Sequence, residues 1–399
     1  MSWVTGADGS PYGVSNLPYG VFRHGGRAPG VGVRIGDFVL DLAGAEEAGL
    51  VLAAGTLGRP TLNGFMALGR PQWTAVRQRV TELLTDATHR PAVEPLLVPL
   101  AEARMELPFE VADYVDFYSS EHHASNVGQI FRPGQPPLLP NWKHLPIGYH
   151  GRAGTVVVSG TPVVRPSGQR ATPQGPVTGP SVRLDIEAEV GFVVGVPSAL
   201  GDRVPVDDLT DHVFGVVLVN DWSARDIQAW EYQPLGPFLG KSFATSVSAW
   251  VTPLDALADA FVPAPEQDPL VADYLRDVPH LGLDLRLSVE WNGERVSEPP
   301  FATMYWTPAQ QLAHLTVNGA SLRTGDLFAS GTVSGPERGQ VGSFLELSWG
   351  GNEPVTFADG ATRTFLEDGD TVTITATAPG PDGTTVALGE VSGKILPAR

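Results

Sequence analysis

The sequence predicts a mainly β protein (α+β), built from many short strands joined by tight turns with few helices between them. Two observations carry this. Gly (46) and Pro (36) are both frequent among the 399 residues without collagen period or low-complexity blocks, the usage of a turn-rich β chain. Apolar runs of strand length recur from residue 155 to the C-terminal region, and few segments of helical period interrupt them. With 42% hydrophobic residues, the chain can bury one large core or two smaller ones, and its length favours two to three domains.

Residues 1–60 give short alternating stretches, 19–23 and 32–42, separated by Gly and Pro, as in a small β-barrel or meander. One helix follows at 71–84: Pro71 sits in its first turn, and Trp73, Val76, Val80, Leu83 and Leu84 share an apolar face. Residues 91–108 carry Pro91, Pro95 and Pro99 among acidic residues and read as a connector. This puts a domain boundary near 107, dividing the chain into 1–107 and 108–399. In the second part, 155–159, 184–194, 213–220, 247–253, 283–291, 344–348 and 371–376 are strand candidates. Helices are expected at 221–232, capped by Asp221 or Ser223 and ended by Pro234, and at 307–315. Residues 262–281 read as a surface excursion.

Composition excludes several function classes. Lys and Arg number 26 against 44 Asp and Glu, a net charge of −18, which repels nucleic-acid phosphates and anionic lipid surfaces. No cysteine is present, so disulfides, thiolate zinc sites, cysteine-ligated iron–sulfur clusters and cysteine nucleophiles are excluded; any metal is held by oxygen or imidazole. No apolar run reaches the ~18 residues of a membrane span, and the N-terminus lacks a basic start and an apolar signal core. The expected location is the cytoplasm.

The chemistry concentrates in scattered carboxylates: Asp116, Glu187, Glu189 and Asp221. Glu187 and Glu189 stand two apart in a strand pattern and so project from one face; they form either a solvated face or half of a metal shell. Asp221 ends an apolar run, where it is either a helix N-cap or a site residue. Converged on a divalent ion, the four would leave a surplus of about two negative charges, which Arg225 and Lys241 are available to balance. Such an all-oxygen shell suits Mg2+ or Ca2+ rather than zinc. Arg225, Gln228 and Tyr232 fall at i, i+3 and i+7 on one helix face, either a surface rim or, beside a metal, an oxyanion hole.

His122 and His123 are adjacent and point opposite ways if extended, so one of them can face a site. His123 is either structural or a general base, which requires an orienting carboxylate. Glu346, placed in an alternating strand, is the candidate partner or else an exposed strand charge. Two motif look-alikes fail. Residues 236–242 have three residues between the glycines where a phosphate-binding loop needs four, and position 118 is Tyr where an inverted zincin motif needs His.

These segments, with Asn141-Trp-Lys-His-Leu-Pro-Ile-Gly-Tyr-His-Gly-Arg, Val157-Val-Ser-Gly-Thr-Pro and Ala329-Ser-Gly-Thr-Val-Ser-Gly-Pro-Glu, closely resemble the fumarylacetoacetate hydrolase family in its full-length, two-domain form. The similarity runs from Asn16-Leu-Pro-Tyr-Gly-Val-Phe to Gly393-Lys-Ile-Leu-Pro. It implies an N-terminal SH3-like barrel, a C-terminal mixed β-sandwich roll and a homodimer. It also implies metal ligands at Asp116, Glu187, Glu189 and Asp221, with further contacts at Lys241, Ala244 and Thr245, and Mg2+ and/or Ca2+ as cofactor. The general base falls on His123 with Glu346 orienting it, and oxyanion stabilisation on Arg225, Gln228 and Lys241. Substrate contacts fall on Tyr118, Arg132, Tyr149, Gln228, Tyr232 and Thr332. The family often has Gly where Ala244 stands, a costly exchange if the backbone there needs positive φ.

The implied reaction is hydrolysis of the carbon–carbon bond of 4-fumarylacetoacetate, a small dicarbonyl acid, to fumarate and acetoacetate in tyrosine and phenylalanine catabolism. A related hydrolase or decarboxylase of another 2,4-dioxo acid, and a non-catalytic metal-stabilised binding protein, are the competing readings.

Overall fold

The computed structural model describes residues 1–399. The N-terminal part forms a five-stranded antiparallel sheet from β1 (Tyr19–Arg23), β2 (Gly30–Ile35), β3 (Phe38–Asp41), β4 (Leu97–Pro99) and β5 (Arg104–Met105), in the order β4-β3-β2-β1-β5. The stretch expected to be a connector thus supplies both edge strands. Pro99 is tolerated there because an edge position leaves its missing N–H unneeded, and Pro91 and Pro95 sit in the first turns of short helices. The helix Arg70–Thr85 forms where the apolar spacing placed it and buries Trp73, Val76, Val80, Leu83 and Leu84.

The central element is a mixed sheet containing β6 (Tyr114–Phe117), β7 (Gly148–His150), β8 (Val156–Val158), β9 (Ala188–Val194), β10 (Val213–Asp221), β11 (Thr245–Val247), β12 (Thr252–Pro253) and β13 (Leu327–Ala329). The strand order is β7-β6-β13-β9-β10-β11-β8, with β12 also on β10. Strands β9 and β10 are buried along their whole length, because the sheet is covered on both faces.

Alternation divides the strands between two cores. Val190, Phe192, Val216 and Leu218 face a core completed by Leu287, Val289, Trp291, Val372 and Ile374 of a second sheet. That sheet runs Glu294–Ser297, Arg286–Trp291, Thr371–Pro379, Val391–Leu396 and Val163–Val164. On the opposite face, Phe214, Val217, Val219 and Leu327 pack against Tyr19, Phe65 and Trp73 from the N-terminal part. Tyr19 and Val251 also exchange backbone hydrogen bonds of 2.9 and 2.7 Å.

Several local expectations are corrected. Residues 344–348 are not a strand: Phe344–Leu347 is a helical turn in which the Ser343 hydroxyl accepts from the Glu346 N–H. The Ser-x-x-Glu pattern of a capping box was the available signal. His122 and His123 lie in the helix Glu121–Phe131, capped by Ser120, not in an extended segment. Asp221 is the last residue of β10 and caps nothing; the following helix is Arg225–Glu231, and its N-cap, Ala224, makes no side-chain cap bond. The 247–253 candidate resolves into the last residue of β11 and the whole of the two-residue β12. Residues 262–281 are more than a surface excursion, since Val271 and Leu275 are buried with Trp142 and Trp306. The second later helix, Pro308–Thr316, forms with a Thr307–Gln310 capping box.

Candidate active site

The strand register sets the site. Asp116 pairs with Tyr149 and Ala329, Glu189 with Val219, and Asp221 with Thr245. Paired residues share a face, and this is the face that carries Val217, Val219 and Ala329. Glu187, two residues before Glu189, joins the same side. Asp116 on β6 and Asp221 on β10 are three strand spacings apart, ~14 Å in a flat sheet. Yet one carboxylate oxygen each from Asp116, Glu187, Glu189 and Asp221 lies within 4.8 Å of the others, so the sheet curls around the cluster.

All four carboxylates are buried, and three cations are interleaved with them. Lys241 Nζ donates to Glu187 Oε2 at 2.5 Å and Asp221 Oδ2 at 2.7 Å. Arg225 donates to Glu187 Oε1 and Asp185 Oδ2, both at 2.7 Å, and to Gln228 Oε1 at 3.2 Å. Arg152 donates to Asp221 Oδ1 at 2.5 Å, Asp116 Oδ2 at 2.9 Å and the Tyr149 hydroxyl at 2.8 Å. Burial would raise the Glu187 carboxyl, but Lys241 and Arg225 outweigh it and hold it well below the usual carboxylate range.

Three oxygens are left over. Asp116 Oδ1 and both oxygens of Glu189 are buried without a hydrogen-bond partner. Burial, and then the charges of Asp116, Asp221 and Glu187, push the Glu189 carboxyl well above its usual range; burial pushes Asp116 up to about 6, against the pull of Arg152. With every carboxyl ionised, and Asp185 counted, five carboxylates face three cations, a formal excess of two negative charges in a buried volume. Unpaired buried charge is costly, and a single oxygen-seeking divalent cation would cancel this excess. The donor set therefore fits such an ion.

Beside the cluster lies a second buried pair, with His123 Nδ1 2.7 Å from Glu346 Oε2. Glu346 is held in turn by Asn126, Ser334 and Ser343 at 3.0, 3.1 and 2.7 Å. Although burial raises its carboxyl, the charge of His123 and these hydrogen bonds bring it below its usual value. The Tyr118 ring packs edge-on to His123 at 5.4 Å. Burial and the neighbouring charges of Glu346 and Glu187 raise its hydroxyl.

The structure thus brings together Asp116, Glu187, Glu189, Asp221, Arg225, Gln228 and Lys241, with Tyr118, His123 and Glu346 adjoining and Tyr149 tied in through Arg152. Thr245 donates to Asp221 Oδ1 at 3.3 Å. Ala244 is buried and is not among the residues of positive φ, so its backbone accepts alanine without strain. The Thr332 hydroxyl is buried and unpartnered.

Two expected contacts make no hydrogen bond to the cluster. Tyr232 is 46% exposed, just beyond the helix Arg225–Glu231, and its hydroxyl accepts only from Gln233. Arg132, half-buried at the end of its own helix, donates to the Pro137 carbonyl. Two participants were missed. Asp185 anchors Arg225 and also accepts from the Phe344 and Leu345 N–H groups. Arg152 sits in a Gly-rich loop with no periodicity to mark it.

Comparison with known proteins places this site in context. A family described as fumarylacetoacetate (FAA) hydrolase C-terminal matches residues 113–391, and one described as fumarylacetoacetase N-terminal matches 15–108. The chain is similar to the fumarylacetoacetase of Homo sapiens, 48% identical over 100% of this chain and 99% of that protein. It is also similar to that of Oryza sativa subsp. japonica, 45% identical over 100% and 97%. Among solved structures, a fumarylacetoacetate hydrolase from psychrophilic Exiguobacterium antarcticum superposes with a TM-score of 0.57 at 16% identity, covering 96% of this chain and 100% of that one. At that identity the likeness supports the fold alone.

Proposed function

The chain belongs to the fumarylacetoacetate hydrolase family, and from that premise we propose that it hydrolyses 4-fumarylacetoacetate to fumarate and acetoacetate, in tyrosine and phenylalanine catabolism. The observation that carries the reading is the buried His123–Glu346 pair beside a cation-laced carboxylate cluster, in a chain that fumarylacetoacetases match along its whole length.

The chemistry follows from the positions of the groups. Glu346 accepts the Nδ1–H of His123, which fixes the tautomer and leaves Nε2 free to take a proton from water. The resulting hydroxide adds to the carbonyl next to the scissile bond. Arg225, Gln228 and Lys241 supply donors for the tetrahedral oxyanion, preorganised by their bonds to Asp185, Glu187 and Asp221. Collapse breaks the carbon–carbon bond, and the departing enolate recovers a proton from the imidazolium of His123.

Asp116, Glu187, Glu189 and Asp221 would hold a divalent ion, Mg2+ or Ca2+ for an all-oxygen shell, whose Lewis acidity lowers the energy of the enolate. Tyr118, Tyr149 and Thr332 line the same region and would contact the substrate. Arg132 and Tyr232 would supply further contacts to the substrate.

The domain boundary is placed near residue 107, with the two matched ranges ending at 108 and beginning at 113. A homodimer is supported by the run of exposed apolar side chains at Trp230, Leu235, Phe238 and Leu239, with Leu235 96% exposed. Cytoplasmic location completes the reading; no helix is long and apolar enough to cross a membrane.

The test is turnover of authentic 4-fumarylacetoacetate, with and without chelator, against a panel of other 2,4-dioxo acids. Stoichiometric fumarate that depends on a divalent ion is expected. Faster turnover of another dioxo acid would reassign the substrate, and no turnover of any would reject the enzyme reading.

A further inference from the structure

Arg152 lies outside the set of catalytic, ligand and substrate positions assigned above, yet it is as deeply built into the cluster as Lys241. Its side chain is 5% exposed. Its guanidinium joins Asp221 Oδ1 and Asp116 Oδ2, carboxylates from strands separated by two others, and also reaches the Tyr149 hydroxyl. The Tyr114 and Tyr149 rings lie 4.8 and 5.1 Å from its central carbon. The backbone is bent to allow this: Arg152 has φ +72° and follows Gly151 at φ +139°. A non-glycine residue in the left-handed region persists when its surroundings hold it there.

Each fixed cation in the cluster covers particular oxygens. Lys241 and Arg225 cover Glu187 and one side of Asp221, while Arg152 covers the other side of Asp221 and half of Asp116. The oxygens left bare belong to Asp116 and Glu189. Arg152 is therefore the cation that borders the bare oxygens on the Asp116 side, and it shares two carboxylates with any ion held there.

We propose that Arg152 is a resident counter-ion of the cluster, a positioning residue that keeps Asp116 and Asp221 together without a divalent ion and opposes the binding of that ion. The inference rests on the divalent-cation reading of the cluster. Two like charges that draw on the same carboxylates are coupled unfavourably, and the coupling is reciprocal: whatever Arg152 adds to the ion-free protein it subtracts from ion affinity. The arrangement holds the acidic face folded while the ion exchanges.

The experiment is calorimetric titration of chelator-treated protein with Ca2+ and with Mg2+, together with thermal melts in chelator and in saturating ion. It is run on the wild type, Arg152→Gln and Arg152→Lys. Arg152→Gln should bind the ion about tenfold more tightly or better, and its Tm should fall more in chelator than in saturating ion. Arg152→Lys, which keeps the charge, should stay near the wild type in both. Equal or weaker ion binding by Arg152→Gln, or the same loss of Tm with and without ion, would overturn the proposal. A wild type that binds neither ion would instead overturn the reading of the cluster.

Discussion

His123 Nδ1 lies 2.7 Å from Glu346 Oε2, across a gap of 223 residues in sequence, and both side chains are buried. The contact leaves Nε2 as the only ring nitrogen able to accept a proton. His123→Gln should lower kcat by about 10²- to 10⁴-fold while leaving divalent-ion affinity as it was. Glu346→Gln should give a smaller loss of the same kind. Steady-state assays paired with ion titration check this, and a His123→Gln enzyme of near-normal kcat would sink the assignment.

The same pair predicts a pH dependence of stability. Glu346 is held below its ordinary value of 4.5, mainly by the charge of His123, against the opposing effect of burial. A carboxylate depressed in the folded state stabilises fully above its unfolded pKa and loses that contribution as pH falls through the folded one. Glu346→Gln should therefore cost about 3 kcal/mol near neutrality, and the gap should close as pH drops below about 4.5. Denaturant melts of both proteins across that range test it; a gap that widens in acid would refute it.

Glu189 has no cation partner, whereas Glu187 has two. Glu189→Gln removes the least compensated charge of the cluster with little change of shape. The chelated variant should melt at or above the wild type, while Ca2+ and Mg2+ affinity falls by about tenfold or more. A variant that loses stability in chelator yet binds the ions normally would show that Glu189 serves the fold alone.

Gly331 sits between Ser330 and Thr332 at φ +76°, and a Cβ there would run into the Phe117 carbonyl. Gly331→Ala combines positive-φ strain with a backbone collision next to Tyr118, and should destabilise by about 2 kcal/mol or more. It should also lower kcat by displacing the 117–119 segment. Urea melts and assays at one temperature suffice, and wild-type behaviour in both would contradict the steric account.

Periodicity and chemical type made much of this molecule legible. The helix Arg70–Thr85 and the strands β9 and β10 announce themselves, because apolar side chains repeat at the spacing of the backbone that buries them. The four carboxylates stand out because buried acids need a partner, and the cation supply in Arg225 and Lys241 could be counted in advance. Glu346 meets His123 from a helical turn and not from the expected strand. Four residues around it fit a strand and a capped helical turn equally well, until Ser343 is seen to cap it.

Arg152, Asp185 and the exposed Tyr232 lay beyond that reach. Nothing local to Gly151-Arg152 says that the loop turns inward across the sheet to Asp116 and Asp221. That depends on how strands far apart in sequence curl and which cation arrives between them, a balance of long-range Coulomb energy and burial. Side-chain pattern fixes which face of a strand is buried and which chemistry is on hand; distances between charges exist only after the chain has closed on itself, and with them the balance of charge around the cluster.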